Sequence, residues 1–99
     1  MDKLYVLVRK DLDKNQQAVQ AGHALAEYLM RVHNHNWTNG TLIYLGVDNE
    51  KDLNTWGEIL DIHDIKWAKF IEPDRNNEMT AISAVSSKNI FKKLNLLNL

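Results

Sequence analysis

The chain has 99 residues, of which 44% are hydrophobic and 25% charged, and this composition fits one globular domain with a single core. It contains no cysteine, which excludes a disulfide framework, a thiolate metal site and a cysteine nucleophile. Its 12 lysines and arginines against 13 aspartates and glutamates lack the basic excess of most nucleic-acid-binding proteins. No apolar run approaches the roughly 20 residues of a membrane-spanning helix, and the acidic second residue is not typical of a signal peptide. We therefore expect a cytoplasmic protein that does not enter a membrane.

The first half of the chain predicts two strand–helix pairs. Residues 4–8 are continuously apolar and β-rich, as in a strand buried on both faces. Residues 13–33 predict a helix, because apolar residues recur every three or four positions and form a stripe facing the sheet. The members of this stripe are Ala18, Ala21, Leu25, Leu29 and Val32. Residues 41–47 predict a second strand, and Asp48 or Asn49 caps a second helix that continues to about residue 61.

The second half predicts two strands and a third helix. A strand at residues 66–71 is followed by a turn with the only proline, and residues 79–86 form a fourth strand. Ser86 or Ser87 caps a last helix carrying Ile90, Phe91, Leu94 and Leu97. The resulting order, β-α-β-α-β-β-α, predicts right-handed crossovers and a mostly parallel sheet whose last two strands are antiparallel. The predicted fold class is therefore α/β, one domain over residues 1–99, with a four-stranded mixed sheet and three helices.

The first helix also carries a polar row at spacings of three and four, consisting of Gln16, Gln20, His23 and Glu27. Its N-terminus follows the carboxyl end of the first strand, the edge at which ligands bind in open α/β sheets. Free N–H groups there suit an anion such as a phosphate. Gly22 could let a ligand approach closely. The alternative is that these side chains only cover a solvated flank of the helix, although such flanks usually contain more lysine and glutamate.

The turn at Glu72-Pro73-Asp74 supplies a second group of candidates. A carboxylate at a strand end can orient a histidine or position water, whereas the simpler alternative is an ordinary turn signal. Thr80, near the start of the fourth strand, either favours the strand or directs a hydroxyl into a site. If the fourth strand pairs with the first, this turn, Thr80 and the start of the first helix share one sheet edge. The imidazole of His23 would then lie nearby.

Other motifs are weak or absent. His33 and His35 lie two residues apart in a polar loop, which is poor spacing for a metal site, and no metal or cofactor is predicted. Trp37, in the same loop, is the tryptophan that could stack on a nucleic-acid base. Trp56 and Trp67 lie in predicted elements and are expected in the core.

Residues 4–29 resemble the opening of type II peptidyl-tRNA hydrolases, in which a strand ending Val-Arg-x-Asp-Leu leads into a helix with Ala-x-Gln-x-x-His-Ala. Residues 41–60 and the segments 70–74 and 79–86 are similar to later parts of that family. The resemblance implies a small mixed sheet with helices on its faces and metal-independent cleavage of the ester between a peptide and the 3′ end of tRNA. It places Gln20, His23, Asp74 and Thr80 in the site.

Two departures from the family concern charge. The lysine that the family uses falls on Gln16, which cannot hold a positive charge against an oxyanion, although Lys14 could substitute. The loop between the last two strands is also shortened. Our leading hypothesis is a divergent hydrolase in which Asp74 orients His23 to activate or position water. Gln20, Thr80 and the helix N–H groups would hold substrate or stabilise the oxyanion. Lys10 and Lys14 would then contact phosphates of tRNA.

Two alternatives remain open. The first is a non-catalytic module that binds RNA, a nucleotide or a protein through the same cleft, and the second is a hydrolase for a smaller ester or amide. Family members often pair, and apolar residues near the C-terminus (Leu96, Leu97 and Leu99) could support a homodimer.

Overall fold

The computed structural model describes residues 1–99 and contains four strands and two α-helices. In chain order these are β1 (Lys3–Arg9), α1 (Lys14–Arg31), β2 (Leu42–Val47), α2 (Glu50–Ile62), β3 (Trp67–Glu72) and β4 (Glu78–Ser86). A short 3-10 turn, Pro73–Arg75, joins β3 to β4. These six elements confirm the sequence prediction in order and type. Neither helix combines the length and the apolar character needed to cross a membrane.

The sheet has the strand order β2-β1-β4-β3. Strands β1 and β2 are parallel, whereas β4 is antiparallel to both of its neighbours, β1 and β3. The prediction of a mixed sheet is confirmed, but the prediction of a mostly parallel sheet is wrong. Strand β3 runs in the same direction as β1, but the two strands do not pair. Strand β4 follows β3 through a short turn and lies between β1 and β3. The predicted pairing of β4 with β1 is confirmed.

Each face of the sheet has its own apolar core because one helix covers each face. Leu4, Val6 and Val8 of β1 pack under α1, whereas Tyr5 and Leu7 face α2. All five side chains are buried, which explains why β1 is continuously apolar rather than alternating. The two cores together position the carboxyl end of β1 between the N-termini of α1 and α2.

The predicted third helix does not form, because residues 90–94 form a turn and residues 95–97 instead pair with the outer edge of β2. The backbone N–H of Gly46 donates to Asn95 O at 3.0 Å, and the N–H of Leu97 donates to Tyr44 O at 2.9 Å. These bonds satisfy edge groups that would otherwise be unpaired. Phe91 is buried against Tyr5, so its apolar character reflects the core rather than a helix face. Leu96 and Leu99 remain exposed, and the homodimer stays a prediction.

The buried face of α1 differs from the predicted stripe. Ala18 and Leu29 are exposed, whereas the buried positions are Gln17, Gln20, Ala21, Ala24 and Tyr28. Glutamine is tolerated on this face because its amide has partners. The Nε2 group of Gln17 donates to Leu12 O at 2.7 Å, which closes the turn between β1 and α1.

Gly57 is required by a close approach between α2 and β3. A Cβ atom at Gly57 would lie 2.7 Å from two ring carbons of Trp67, and that ring is held by a hydrogen bond from its Nε1 to Asp61 Oδ1 at 2.8 Å. We expect Gly57→Ala to destabilise the fold by about 1–3 kcal/mol, although alanine favours helix. Gly22→Ala in α1 is the matched control, since a Cβ there meets open space and should stabilise the helix by roughly 1 kcal/mol.

Urea unfolding followed by circular dichroism measures both variants of this pair. If both glycine variants stabilised the protein equally, the packing of Trp67 against Gly57 would not be the reason for the glycine.

Candidate functional site

The polar residues singled out in the sequence meet at one edge of the sheet. The carboxyl ends of β1 and β3 lie at this edge together with the first residues of β4 and the N-terminal half of α1. None of the four surface depressions is lined by Gln16, Gln20, His23, Glu72 or Thr80, although one of them reaches the neighbouring Phe70 and Ile71. The candidate site is therefore a shallow surface rather than the floor of a pocket.

A β-bulge directs Thr80 into this site. Phe70 pairs with Ala81, but Ile71 pairs with Met79, so that Thr80 is an extra residue without a partner on β3. Ala81 belongs to the core under α1, and the hydroxyl of Thr80 also points to α1. Strict alternation along β4 would have turned Thr80 towards α2. The bulge thus re-aims one side chain, as bulges beside functional sites commonly do.

The hydroxyl of Thr80 begins a buried hydrogen-bond network centred on Gln20. Thr80 Oγ1 donates to Gln20 Oε1 at 2.8 Å, and Gln20 Nε2 donates to Glu72 Oε1 at 2.9 Å and to Gln16 Oε1 at 3.1 Å. The carboxylate of Glu72 can only accept, so it fixes which end of the Gln20 amide carries the donors. Every hydrogen-bonding atom of this amide therefore has a partner.

The side chains of Gln20 and Thr80 are fully buried, with 0% exposure each. They cannot contact a substrate directly, which corrects the expectation that they hold it. Their geometry instead makes them positioning residues for the half-buried Glu72 and Gln16. A substrate on this surface would contact those two side chains and His23.

Glu72, rather than Asp74, is the carboxylate that joins the network. Asp74 lies in the exposed 3-10 turn and makes no hydrogen bond with His23. Sequence reasoning had singled out Asp74 in the Glu72-Pro73-Asp74 turn and missed the role of Glu72. One feature of the sequence indicates this role. Glu72 is the last residue of β3, so the strand fixes the direction of its side chain.

His23 is exposed on α1, and the ring of Phe70 orients it. The two rings are stacked, with centroids 4.2 Å apart and planes within 6° of each other. This contact corrects the expectation that Asp74 orients His23. Stacking covers one face of the imidazole but leaves its two nitrogen atoms at the ring edge, where they can exchange protons with solvent or substrate.

A buried arginine secures the neighbouring end of β1. Arg9 donates from Nε and Nη2 to the two oxygens of Asp11, each at 2.9 Å, and from Nη1 to Glu78 Oε1 at 2.8 Å and Met79 O at 3.1 Å. The hydrogen bond to Asp11 is the main reason why the pKa of Arg9 is raised, and the same bond lowers the pKa of Asp11. Arg9 thus holds β1 against the start of β4, next to the bulge.

Four residues were predicted to bind substrate: Lys10, Lys14, Gln16 and Gly22. Gln16 joins the Gln20 network, whereas Lys10 is not brought to the site. Its stem lies across Gly46, and its Nζ is 3.4 Å from Asp48, on the β2 side of β1 and away from β4. Lys14 is exposed at the first position of α1, and Gly22 is exposed beside His23 with open space around it. At the helix start, the side chain of Asp13 already accepts from the N–H of Gln16 at 2.8 Å.

The prediction for Trp37 as a base-stacking residue is wrong. Its side chain is buried in the core under α1, and its Nε1 donates to Thr41 O at 2.8 Å. Burial of the ring and satisfaction of its N–H explain why a tryptophan occurs in this polar loop. Trp56 and Trp67 pack against the α2-side core as predicted.

The fold and the site define a small α/β domain with a four-stranded mixed sheet and a polar edge. No family model matches the chain, and no curated protein matches it. Among solved structures, it is similar to Atu0240 from Agrobacterium tumefaciens, a protein of unknown function. The two share 13% sequence identity over 98% of each chain, with a TM-score of 0.73. At this identity the similarity shows the fold alone.

Proposed function

We propose that this chain is a divergent peptidyl-tRNA hydrolase-like enzyme that cleaves the ester between a peptide and the 3′ end of tRNA. One observation carries the proposal: the hydroxyl of Thr80, the amide of Gln20 and the carboxylate of Glu72 form one network beside the exposed imidazole of His23. The resemblance of residues 4–29 to type II peptidyl-tRNA hydrolases supports this choice among ester hydrolases.

In this proposal His23 is the catalytic base. It takes a proton from water as the water oxygen attacks the ester carbonyl carbon, and it returns the proton to the ribose oxygen as the bond between carbonyl carbon and ribose oxygen breaks. Glu72 is held through one oxygen by Gln20, which leaves its second oxygen to orient the water or a ribose hydroxyl. Gln20 and Thr80 keep this carboxylate in place, and no step requires a metal.

The RNA contacts in this proposal are few. Lys14 is the exposed cation nearest to the network along α1, and Asp13 already satisfies one N–H at the helix start. The protein would therefore bind mainly the 3′ end of tRNA rather than a long stretch of its backbone. A role in recycling tRNA also implies a cytoplasmic location.

The direct test is hydrolysis of a defined peptidyl-tRNA by the purified chain, with and without EDTA. We expect cleavage that the chelator does not reduce. Absence of cleavage at high enzyme concentration would reject the hydrolase, and cleavage abolished by EDTA would reject the metal-independent mechanism.

A second candidate is a non-catalytic module that binds RNA, a nucleotide or a protein at the same surface. Gln16 favours it, because a neutral amide closes the network where the resembled family has a lysine. Charge at this edge also favours it, since eight carboxylates accompany five cations. The carboxylates are those of Asp11, Asp13, Asp48, Glu50, Asp52, Glu72, Asp74 and Glu78, and the cations are Arg9, Lys10, Lys14, Lys51 and Arg75.

Gln16→Lys separates the two candidates. If the natural protein has lost catalysis, we expect this variant to gain ester hydrolysis from none, because an ammonium beside Glu72 can stabilise a developing oxyanion. Asn15→Lys adds the same charge one residue earlier on an exposed position and serves as the control. Equal gains in both variants would mean that net charge, rather than the position of Gln16, limits the reaction.

A further inference from the structure

A second polar surface lies at the opposite end of the sheet from the candidate site. It is a cleft of about 450 Å³ between the residues that precede β1, the end of β4, the loop after α1 and the turn after α2. Thirteen residues line it, and only three of them are hydrophobic. None of the residues of the Gln20 network takes part, so the cleft needs an explanation of its own.

Tyr28 lines this cleft although it is only 2% exposed. Burial raises the pKa of its phenol, Asp2 adds to the rise, and a backbone hydrogen bond at Val85 opposes it. The phenol is protonated at neutral pH, as that of an ordinary tyrosine is. Since its O–H donates to no other side chain, it can donate to a ligand in the cleft.

His35 provides a second oriented donor. Its Nδ1 accepts from the backbone N–H of Trp37 at 3.2 Å, so the proton of the neutral ring is on Nε2. The His35 ring lies 5.6 Å from the ring of Tyr28, centroid to centroid. Both donors thus belong to the same part of the cleft.

Two lysines add positive charge to these donors. Lys66 and Lys88 both line the cleft, and neither takes part in an ion pair. The end of β4 places Lys88, because Ser86 Oγ accepts from the backbone N–H of Lys88 at 3.0 Å. Two ammonium groups with an imidazole N–H and a phenol O–H match the several acceptor oxygens of a phosphate.

Asp2 and Asp64 also line the cleft, and neither is paired with a lysine. Unpaired charges of both signs in one cleft suit a ligand that combines an anionic group with hydrogen-bond donors. We propose that the cleft binds a small phosphorylated ligand with hydroxyl groups, of the sugar phosphate type. Its phosphate contacts Tyr28, His35 and the two lysines, and its hydroxyl groups donate to the two carboxylates.

The test is titration of the full chain with ribose 5-phosphate, followed by amide chemical shifts in NMR. We expect saturable shifts at residues 34–36, 64–66 and 86–88, and no comparable shifts with ribose at the same concentrations. Lys88→Gln should weaken binding about tenfold, and Tyr28→Phe about threefold, since charge-assisted hydrogen bonds contribute more than neutral ones. Lys51→Gln removes the same charge at the other end of α2 and should leave binding unchanged.

Shifts that never saturate, or equal weakening in Lys88→Gln and Lys51→Gln, would overturn the proposal. The readout is independent of the proposed hydrolase, because it requires no turnover and reports on the opposite end of the sheet.

Discussion

His23→Ala is expected to reduce the turnover of peptidyl-tRNA by about 100-fold or more, because general base catalysis contributes roughly 10²–10⁴ in rate. The side chain is exposed and makes only the stacking contact with Phe70, so we expect the free energy of unfolding to change little. Initial rates at saturating substrate, together with urea unfolding of the same variant, measure the two quantities separately.

His33→Ala is the matched control, since His33 is an exposed histidine just beyond the end of α1. It should retain full activity. If His23→Ala also retained full activity, His23 would not be the catalytic base. If it unfolded the domain, the loss of activity would have a structural cause, and His23→Gln, which keeps a polar side chain on the ring of Phe70, would have to be compared.

Gln20→Glu is expected to destabilise the fold by roughly 3 kcal/mol at neutral pH, the cost of an uncompensated buried charge. The introduced carboxylate has nearly the shape of the amide, but it loses both N–H donors and faces Glu72 Oε1, which now lies 2.9 Å from Gln20 Nε2. Urea unfolding of the variant and the wild type at pH 7.5 gives the difference.

The pH dependence of this difference identifies its cause. Burial and the neighbouring Glu72 should raise the folded-state pKa of the introduced carboxyl above its unfolded value of about 4.3. A raised pKa means that stability is greatest below the unfolded pKa and is lost as the pH rises through the folded pKa. The difference in the free energy of unfolding between the wild type and Gln20→Glu should therefore be smaller at pH 4.5 than at pH 7.5.

Asn15→Asp is the control for Gln20→Glu, because it makes the same change of charge on an exposed position of α1. It should have little effect at either pH. A deficit in Gln20→Glu that did not depend on pH would argue against a buried charge and for a packing defect.

The Gln20 network shows how far the candidate site could be predicted. The spacing of Gln16, Gln20 and His23 along one helix indicated a shared surface. The expected pairing of β4 with β1 is confirmed, and this pairing brings Thr80 to the same surface. Glu72 was not assigned because the sequence does not say which carboxylate of a turn points back to the helix. That direction depends on where β3 ends relative to α1, which is a tertiary property.

The β-bulge at Thr80 could not be predicted from the sequence pattern, for a related reason. Period-two alternation puts Thr80 on the α2 face, and only the register between β3 and β4 reverses it. Residues 87–99 are a similar case. Their apolar spacing is typical of a helix, yet the open edge of β2 offers backbone hydrogen bonds that residues 95–97 can satisfy only in extended form.

By itself, the sequence determined the six regular elements, the single α/β domain and the sheet edge at which the candidate residues meet. Local patterns suffice for these features, because apolar runs, caps and turns act within a few residues of one another. The tertiary structure alone decided that Gln20 and Thr80 are buried, that Phe70 rather than Asp74 orients His23, and that Trp37 lies in the core. These outcomes depend on which partner satisfies each polar group across the fold, and such partners lie up to 70 residues apart in the chain.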